Sequence, residues 1–278
     1  MKFVIAAFGL AVSLMLAPAA HAQAVSEALS RLFADERAEI YRADPVTATY
    51  NGVHDYDDCL GSVTPRAQAA QLTADQGFVR RLRAIDRNAL TPQERVSYEL
   101  FDFMVGQRVA FGRYNEWRLP FNSDSGFYSD LLQLHETNAP RTTPDYENYI
   151  ARLNDYPRYF REQTANLRQG VRDGFTLPAE IGEGVARVID SMHYARPEDM
   201  ALWTPFANYP ATVPESDRAR LTAAGRAAIA GSVIPSFDQF RVYFDTDYRP
   251  HMRRTIAATS LPNGRAYYAD LVRYFTTL

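Results

Sequence analysis

The chain has 278 residues, of which 46% are hydrophobic and 23% charged, so it suits one large or two small globular domains and is neither disordered nor fibrous. Its 33 acidic and 30 basic residues give a net charge of −3, which argues against the clustered basic surface of a nucleic-acid-binding protein. Lys2 is the only lysine, so Schiff-base catalysis and phosphate-loop lysines are excluded as well.

The N-terminus has the pattern of a secretory signal peptide. Lys2 is followed by an uninterrupted run of apolar or small residues, and Ala20-His21-Ala22 forms an A-x-A cleavage site. The run is also near the lower length limit for a membrane-spanning helix, but the small residues at the site favour cleavage. We therefore predict a signal peptide over residues 1–22 and a periplasmic or secreted protein that has no membrane segment after its removal.

The apolar residues after Gln23 recur at helical spacing, and an alternating strand pattern is almost absent. A first helix carries five of them: Val25, Leu29, Leu32, Phe33 and Ile40. Thr91-Pro92-Gln93-Glu94 is a capping box with proline at the first helical position, which predicts the start of another helix. Three apolar residues are expected on the buried face of that helix: Val96, Leu100 and Met104.

Proline marks the later helices. Thr143-Pro144 begins a helical pattern that continues past Pro157, where we predict a break or a kink. A later segment has Pro235 as a bend and carries one apolar stripe: Ile229, Val233, Phe237, Phe240 and Phe244. Tyrosines at helical spacing are interpreted as core residues whose polar edge is in contact with water, rather than as residues that surround a ligand. The fold class predicted is all-α, an irregular multi-helix array, in one domain over residues 23–278.

Most catalytic motifs are missing or incomplete. The G-x-S-x-G elbow of serine hydrolases is absent. Gly182-Glu183-Gly184 lacks the third glycine of a dinucleotide fingerprint and is interpreted as helix. His135-Glu136 would need a histidine at position 139 to form a zinc-binding pair on one helical face, but Ala139 is there, so a loop is expected. We predict that this chain has no catalytic residues, no metal ligands and no cofactor.

Two sequence features concern titratable side chains. The single cysteine, Cys59, follows Asp57 and Asp58, so we expect a raised thiol pKa and a small, partly buried residue rather than a nucleophile. Asp190 and His193 could form an acid–base pair on one helical face or an ordinary surface pair.

The densest polar cluster is His54-Asp55-Tyr56-Asp57-Asp58. Its carboxylates and imidazole could hold a hard cation or orient a substrate amine. They could also form a turn whose aspartates cap the following helix. Both interpretations remain open from the sequence.

Three segments resemble a bacterial family known as domain of unknown function 885. They are Pro45–Asp58, the spacing Gly170-x-x-x-Gly174-x-x-x-Pro178, and Leu261–Tyr268 with the closing Tyr274–Thr277. The resemblance extends over nearly all of the chain after the signal peptide. It implies an α-helical, often secreted protein that is related to zinc metallopeptidases. Their metal segment, His-Glu-x-x-Pro-Gly-His, lies downstream of these motifs, so the resemblance implies that this chain is truncated before it.

The last predicted helix also indicates that the chain is truncated. Over Arg265–Phe275 it places Tyr268, Leu271, Val272 and Phe275 on one apolar face, and neither a glycine nor a polar tail follows. We therefore expect the protein to continue past Leu278, and we expect this face to be uncovered when the chain is made alone.

Three hypotheses about function follow. The first is the exported N-terminal helical portion of a zinc-metallopeptidase-like protein, which roofs a peptide-binding cleft; the peptide partner and the zinc cofactor belong to the full-length protein. The second is a self-sufficient periplasmic helical binding protein for a peptide or small ligand. The third is an acid–base enzyme built on the His54–Asp58 cluster. The candidate substrate-binding residues are His54, Asp57, Asp58, Tyr267 and Tyr268.

Overall fold

A computed structural model describes the backbone of residues 4–276 and the side chains of residues 20–276. The α-helices are α1 (Val4–Ala43), α2 (Pro45–Tyr50), α3 (Pro65–Arg83), α4 (Pro92–Gly112), α5 (Phe127–Leu132), α6 (Leu134–Thr137), α7 (Thr143–Asn154), α8 (Tyr156–Asp173), α9 (Gly182–Asp190), α10 (Thr204–Ala207), α11 (Glu215–Ala228), α12 (Ile234–Tyr243) and α13 (Gly264–Thr276). Short 3₁₀ segments lie at Arg87–Ala89, Glu116–Arg118, Ala179–Ile181, Pro197–Asp199, Ala201–Trp203, Arg249–His251 and Ala258–Ser260, and π-helical segments at Ile229–Val233 and Phe244–Tyr248.

The all-α prediction is confirmed. Within residues 4–276 the only β pairing consists of two isolated bridges, Phe121 with Gly126 and Pro178 with Arg253. The predicted signal peptide, residues 1–22, falls largely on residues whose side chains are not described. No helix in the described range offers a stretch that is both long and apolar enough to span a membrane.

The contacts of the chain group into two compact units. The first unit comprises residues 1–39 and 70–113, and the second comprises residues 40–69 and 114–278. The boundaries fall inside α1 and α3, so each of these helices contributes residues to both units. The single domain predicted over residues 23–278 stays a prediction, because a domain is defined by cooperative unfolding as well as by contacts.

The first unit has a small apolar core of its own. The core consists of Val25, Leu29, Leu32, Phe78, Val79, Leu82, Leu90 and Val105. Arg108 lies beside it and donates to Glu36 at 2.6 Å and to Asp75 at 2.9 Å. The predicted capping box is present at the start of α4, where Thr91 Oγ1 accepts from the backbone of Glu94, and the Glu94 side chain accepts from the backbone of Thr91.

The buried face of α4 is not the one predicted from the sequence. Three residues expected in the core are more than half exposed: Val96, Leu100 and Met104. The core instead receives the neighbouring apolar stripe: Tyr98, Phe101, Val105 and Val109. The prediction was wrong because α4 carries two apolar stripes, and only one of them packs on the core of the first unit. Helical spacing alone does not say which stripe that is.

The second unit has a large aromatic core that runs between α8 and α12. The rings of Phe160 and Phe237 meet edge to face at 4.9 Å, and those of Phe127 and Phe240 at 5.0 Å. The whole predicted stripe from Ile229 to Phe244 is buried. Helix α12 begins at Ile234, directly after a π-helical segment, so the bend expected at Pro235 coincides with a change of helix type.

The second unit also confirms two predictions about its helices. The helix predicted from Thr143 ends at Asn154 and a new one begins at Tyr156, with Pro157 in its first turn. The tyrosines of these helices are core residues whose hydroxyls find backbone acceptors. Tyr146 donates to Pro205 O at 2.7 Å and Tyr149 to Leu202 O at 3.1 Å. Each buried ring thereby holds the start of a neighbouring short segment in place.

The contact between α10 and α11 depends on the absence of a side chain at Gly225. A Cβ atom there would lie 2.4 Å from the ring of Phe206, which is itself packed against Trp203. We expect Gly225→Ala to lower the free energy of unfolding by about 1–3 kcal/mol, because the ring has little room to move. Urea denaturation measures the change.

The matched control for this substitution is Gly184→Ala. A Cβ at Gly184 meets nothing within 4 Å, and the residue lies inside α9. Alanine there should raise the stability by up to about 1 kcal/mol, since glycine is a poor helix former. Equal effects of the two substitutions would contradict the packing described for Gly225.

Candidate functional site

The segment that follows α2 is folded around the side chain of Arg152. This residue of α7 is only 1% exposed. Its Nε donates to Cys59 O at 2.9 Å, and its Nη2 donates to Tyr56 O at 2.8 Å and to Thr49 Oγ1 at 3.0 Å. Burial lowers the pKa of the guanidinium, and the nearby Asp57 carboxylate opposes that effect. A charge so deeply buried requires this set of acceptors.

Asp57 connects the buried arginine to an exposed histidine. One carboxylate oxygen, Oδ1, accepts from Thr49 Oγ1 and lies 3.9 Å from Arg152 Nη2. The other oxygen, Oδ2, lies 2.8 Å from His54 Nδ1. The Asp57 side chain is 11% exposed, whereas that of His54 is 68% exposed. The pair therefore fixes one ring nitrogen of the imidazole, while the other nitrogen, Nε2, forms no hydrogen bond with the described residues.

The structure tests the second interpretation of the His54–Asp58 segment. The segment does form a turn, as that interpretation predicts. Helix α3 begins at Pro65, and its first-turn acceptor is Thr64 Oγ1, to which Ala67 N donates at 3.2 Å, so the prediction that the aspartates cap this helix was wrong. Asp57 instead completes the polar shell of Arg152 and orients His54. The binding of a cation or a substrate amine by this segment stays a prediction.

His54 and Asp57 line a cavity of about 350 Å³ in the second unit. Its other walls are the end of α2, the segment from α6 into the following loop, and one side of α7 from Asp145 to Arg152. The lining from these walls includes Glu136, Asn138, Arg141, Asp145 and Asn148. The volume lies in the range of small-molecule pockets.

The segment around His135 is helical where a loop was expected. His135 and Glu136 belong to α6, and the loop begins only after Thr137. His135 Nδ1 lies 2.9 Å from Leu132 O, and His135 Nε2 lies 3.4 Å from the Glu136 carboxylate. The expectation of a loop missed this single helical turn, which is too short to show a periodic pattern.

The other candidate residues do not join His54 and Asp57. Asp58 lines a separate cavity of about 500 Å³, which also includes Arg158. Tyr267 donates to Glu116 at 2.6 Å, and Tyr268 is 51% exposed on α13. Neither tyrosine lines either cavity. The structure thus brings together two of the five candidate residues around one cavity.

Arg152 is the residue of this site that the sequence analysis missed. Its position on α7 did carry a signal, because it follows Tyr149 by three residues and so lies on the same face of the helix. Tyr149 is a core residue, which places the arginine on the buried face of α7. A buried arginine in turn points to a polar loop packed against that face.

Two further sequence interpretations can be compared with the structure. Cys59 is partly buried, and burial together with the Asp58 carboxylate raises the pKa of its thiol, as predicted. His193 Nδ1 lies 2.9 Å from Asp238 Oδ1 rather than beside Asp190. The ring is more than half exposed, so this contact is an ordinary surface pair.

The donor set for a metal ion is not assembled in the described part of the chain. Across residues 20–276, no group of three or more histidine, cysteine, aspartate or glutamate side chains is arranged to hold one. His135 and Glu136 have no third ligand, so these residues do not fit the zinc that the resemblance implies for longer members.

The fold and the cavity define an all-α protein with a polar pocket held in place by a buried arginine. Residues 45–278 match the family described as bacterial protein of unknown function (DUF885), and the chain belongs to this family. The match confirms the family that the sequence resembles, while the relation to zinc metallopeptidases and the truncation stay predictions.

Solved structures of similar fold exist, and one of them matches most of this chain. It is described as "the putative lipoprotein from Colwellia psychrerythraea" and superimposes with a TM-score of 0.78 at 12% sequence identity. The match covers 91% of this chain but only 46% of that chain, so this sequence spans less than half of that protein's length. The comparison with curated proteins gives no match.

The first prediction for the site concerns Arg152. We expect Arg152→Met to lower the free energy of unfolding by about 3 kcal/mol or more, because Asp57 and the backbone carbonyls of the loop lose their donor. Urea denaturation measures the stability, and amide hydrogen exchange over residues 52–60 should show the loop opening first.

Arg161→Met is the control for this prediction. Arg161 is exposed on α8, and its substitution should change the stability by less than about 0.5 kcal/mol. If Arg152→Met and Arg161→Met were equally stable, Arg152 would not be what holds the loop.

The second prediction for the site concerns the attachment of α13. Burial raises the pKa of Glu116, while the hydrogen bond from Tyr267 acts in the opposite direction. A carboxyl whose folded-state pKa is raised loses its stabilising contribution as the pH rises through that pKa. Glu116→Gln keeps an oxygen acceptor for Tyr267 without the buried charge. The variant should therefore exceed the wild type in melting temperature at neutral pH, and the difference should shrink as the pH falls.

Thermal unfolding across acidic and neutral pH tests this prediction. Glu180→Gln provides the control, since Glu180 is exposed and its neutralisation should leave the pH profile unchanged. A Glu116→Gln variant less stable than the wild type at neutral pH would show that the charge itself holds α13.

Proposed function

We propose that this chain is the exported helical portion of a larger metallopeptidase-like protein, in which it roofs a peptide-binding cleft without a catalytic motif of its own. The observation that carries the proposal is the uncovered apolar face of α13. Tyr268, Val272 and Phe275 follow one another at helical spacing, and all are exposed, Phe275 by 77%. A stripe of this kind normally packs against another element.

The opposite side of α13 is firmly attached to the second unit. The buried Asp270 accepts from Tyr114 at 2.7 Å, and Tyr267 donates to Glu116. The helix therefore has one polar, anchored side and one apolar, open side. We propose that the remaining part of the protein covers the open side. The length of the similar lipoprotein, of which this chain matches 46%, supports that view.

The cavity supplies the proposed contact with peptide. His54 and Asp57 line it and stay our candidates for binding the substrate, whereas the exposed Tyr268 is better placed to meet the second part of the protein. Zinc and catalysis would belong to that second part. The N-terminal signal pattern supports export to the periplasm or medium.

A second candidate function is favoured by one specific observation. The lining of the cavity lies entirely within the second unit, and its volume of about 350 Å³ is that of a small-molecule pocket, so this unit could bind a ligand by itself. In that case the protein would be a self-sufficient periplasmic binding protein for a peptide or small ligand. The two functions differ in what α13 does, and the test addresses that helix.

The prediction is that the purified chain binds a hydrophobic dye through α13. Val272→Ser should lower the dye fluorescence, because it interrupts the stripe between Tyr268 and Phe275. Val242→Ser is the matched control. Val242 is an exposed valine on α12 that lies next to the polar residues Asp245 and Thr246 in the following turn, so its loss should change little.

The coding sequence after Leu278 provides the decisive observation. An open reading frame that continues into a His-Glu metal segment would support the proposal. An immediate stop codon, together with a monomer that binds no dye, would refute it and favour the self-sufficient binding protein.

A further inference from the structure

Two of the three acidic groups that line the cavity, Asp57 and Asp145, already have internal donors. Asp57 accepts from Thr49 and contacts His54, as described above. Asp145 caps α7, and its Oδ2 accepts from Arg141 N at 3.0 Å and from Thr142 N at 2.9 Å. The third carboxylate, Glu136, is 70% exposed, so its charge is screened by water. Two of the three negative charges of the lining are therefore satisfied within the protein, and the third is solvated.

Two donors of the same cavity have no partner. Asn138 is 8% exposed, and its Nδ2 is buried without a hydrogen bond. An unpaired donor of this kind destabilises a folded protein, so its presence calls for an explanation. The guanidinium of Arg141 forms neither a hydrogen bond nor an ion pair within the described side chains, although its backbone N–H and carbonyl are both engaged.

We infer that this cavity binds the C-terminal carboxylate of a peptide, with Arg141 and Asn138 as the recognising donors. A guanidinium matches a carboxylate in charge and in its paired donor geometry, and an amide N–H supplies a further hydrogen bond. The choice of a peptide rests on the proposed function. The choice of a carboxylate rests on the unpaired donors alone.

Calorimetric titration of the purified protein tests the inference with two probes, tri-alanine and tri-alanine amide. The two differ only in whether the C-terminus carries a charge. We expect the free acid to bind at least about tenfold more tightly than the amide, which corresponds to one charge-assisted hydrogen bond. Equal binding of the two probes, or no binding of either, would overturn the inference.

Arg141→Gln should remove the preference for the acid. Arg187→Gln is the matched control, because Arg187 is also exposed and without an ion pair among the described side chains, but it lies on α9 and does not line the cavity. If both variants lost the preference, or if neither did, Arg141 would not be the recognising cation.

Asn138→Leu separates a binding role from a structural one. The leucine side chain is close to asparagine in shape and removes the unpaired buried donor, so the melting temperature should not fall. Binding of tri-alanine should nevertheless weaken by about tenfold. A lower melting temperature with an unchanged ratio of acid to amide binding would assign Asn138 a purely structural role.

These results can be told apart from failure of the proposed function. Dye binding by α13 and the reading frame after Leu278 do not involve Arg141 or Asn138. A stop codon after Leu278 would leave the carboxylate site intact as that of a self-sufficient binding protein. Equal binding of tri-alanine and its amide would contradict the carboxylate site, but it would not affect the conclusion drawn from dye binding by α13.

Discussion

The burial of the Arg152 guanidinium is the constraint on which the site depends. A cation in the core of the second unit is stable only where oxygen atoms surround it. An irregular loop can supply backbone carbonyls for this purpose, whereas the carbonyls inside a helix are already hydrogen-bonded to its own N–H groups. The loop in turn needs a donor for those carbonyls once it is buried. Arginine meets both requirements because its planar group carries several N–H donors in a fixed arrangement. The buried position of the Arg152 side chain therefore depends on the loop, and the conformation of the loop depends on Arg152.

A second arginine continues the same arrangement one helix further on. Arg158 of α8 donates to Leu60 O at 2.7 Å and to Asp155 at 2.6 Å, while Asp155 accepts from Leu60 N at 2.9 Å. Its hydrogen bond to Asp155 raises the pKa of Arg158, whereas burial lowers that of Arg152. The chain that follows α2 is thus held along α7 and α8 by two cations. His54, which contacts Asp57 in this segment, gains its fixed orientation as a consequence.

Features set by neighbouring residues could be predicted from the sequence, and features set by distant ones could not. The capping box at Thr91 and the break at Pro157 follow from rules that act within one turn of helix. The contact between His54 and Asp57 is also local. The acceptors of Arg152 include Cys59, which lies 93 positions away, so nothing in the short-range pattern identifies them. The prediction of the buried face of α4 was wrong for the same reason. Which of its two apolar stripes is buried depends on contacts with residues that are distant in the sequence.

The hydrogen bonding of buried polar groups distinguishes the structural core of this protein from its candidate site. The buried hydroxyls of Tyr146 and Tyr149 and the guanidinium of Arg152 are all satisfied within the chain, as is usual for protein interiors. Several other buried polar atoms among the described side chains lack partners, including Tyr128 Oη. Asn138 is the one among them that lines either cavity, and it shares that cavity with an unpaired arginine. An unpaired donor inside a closed core reflects imperfect packing, whereas we infer that an unpaired donor on a residue of a polar cavity finds its partner in the ligand.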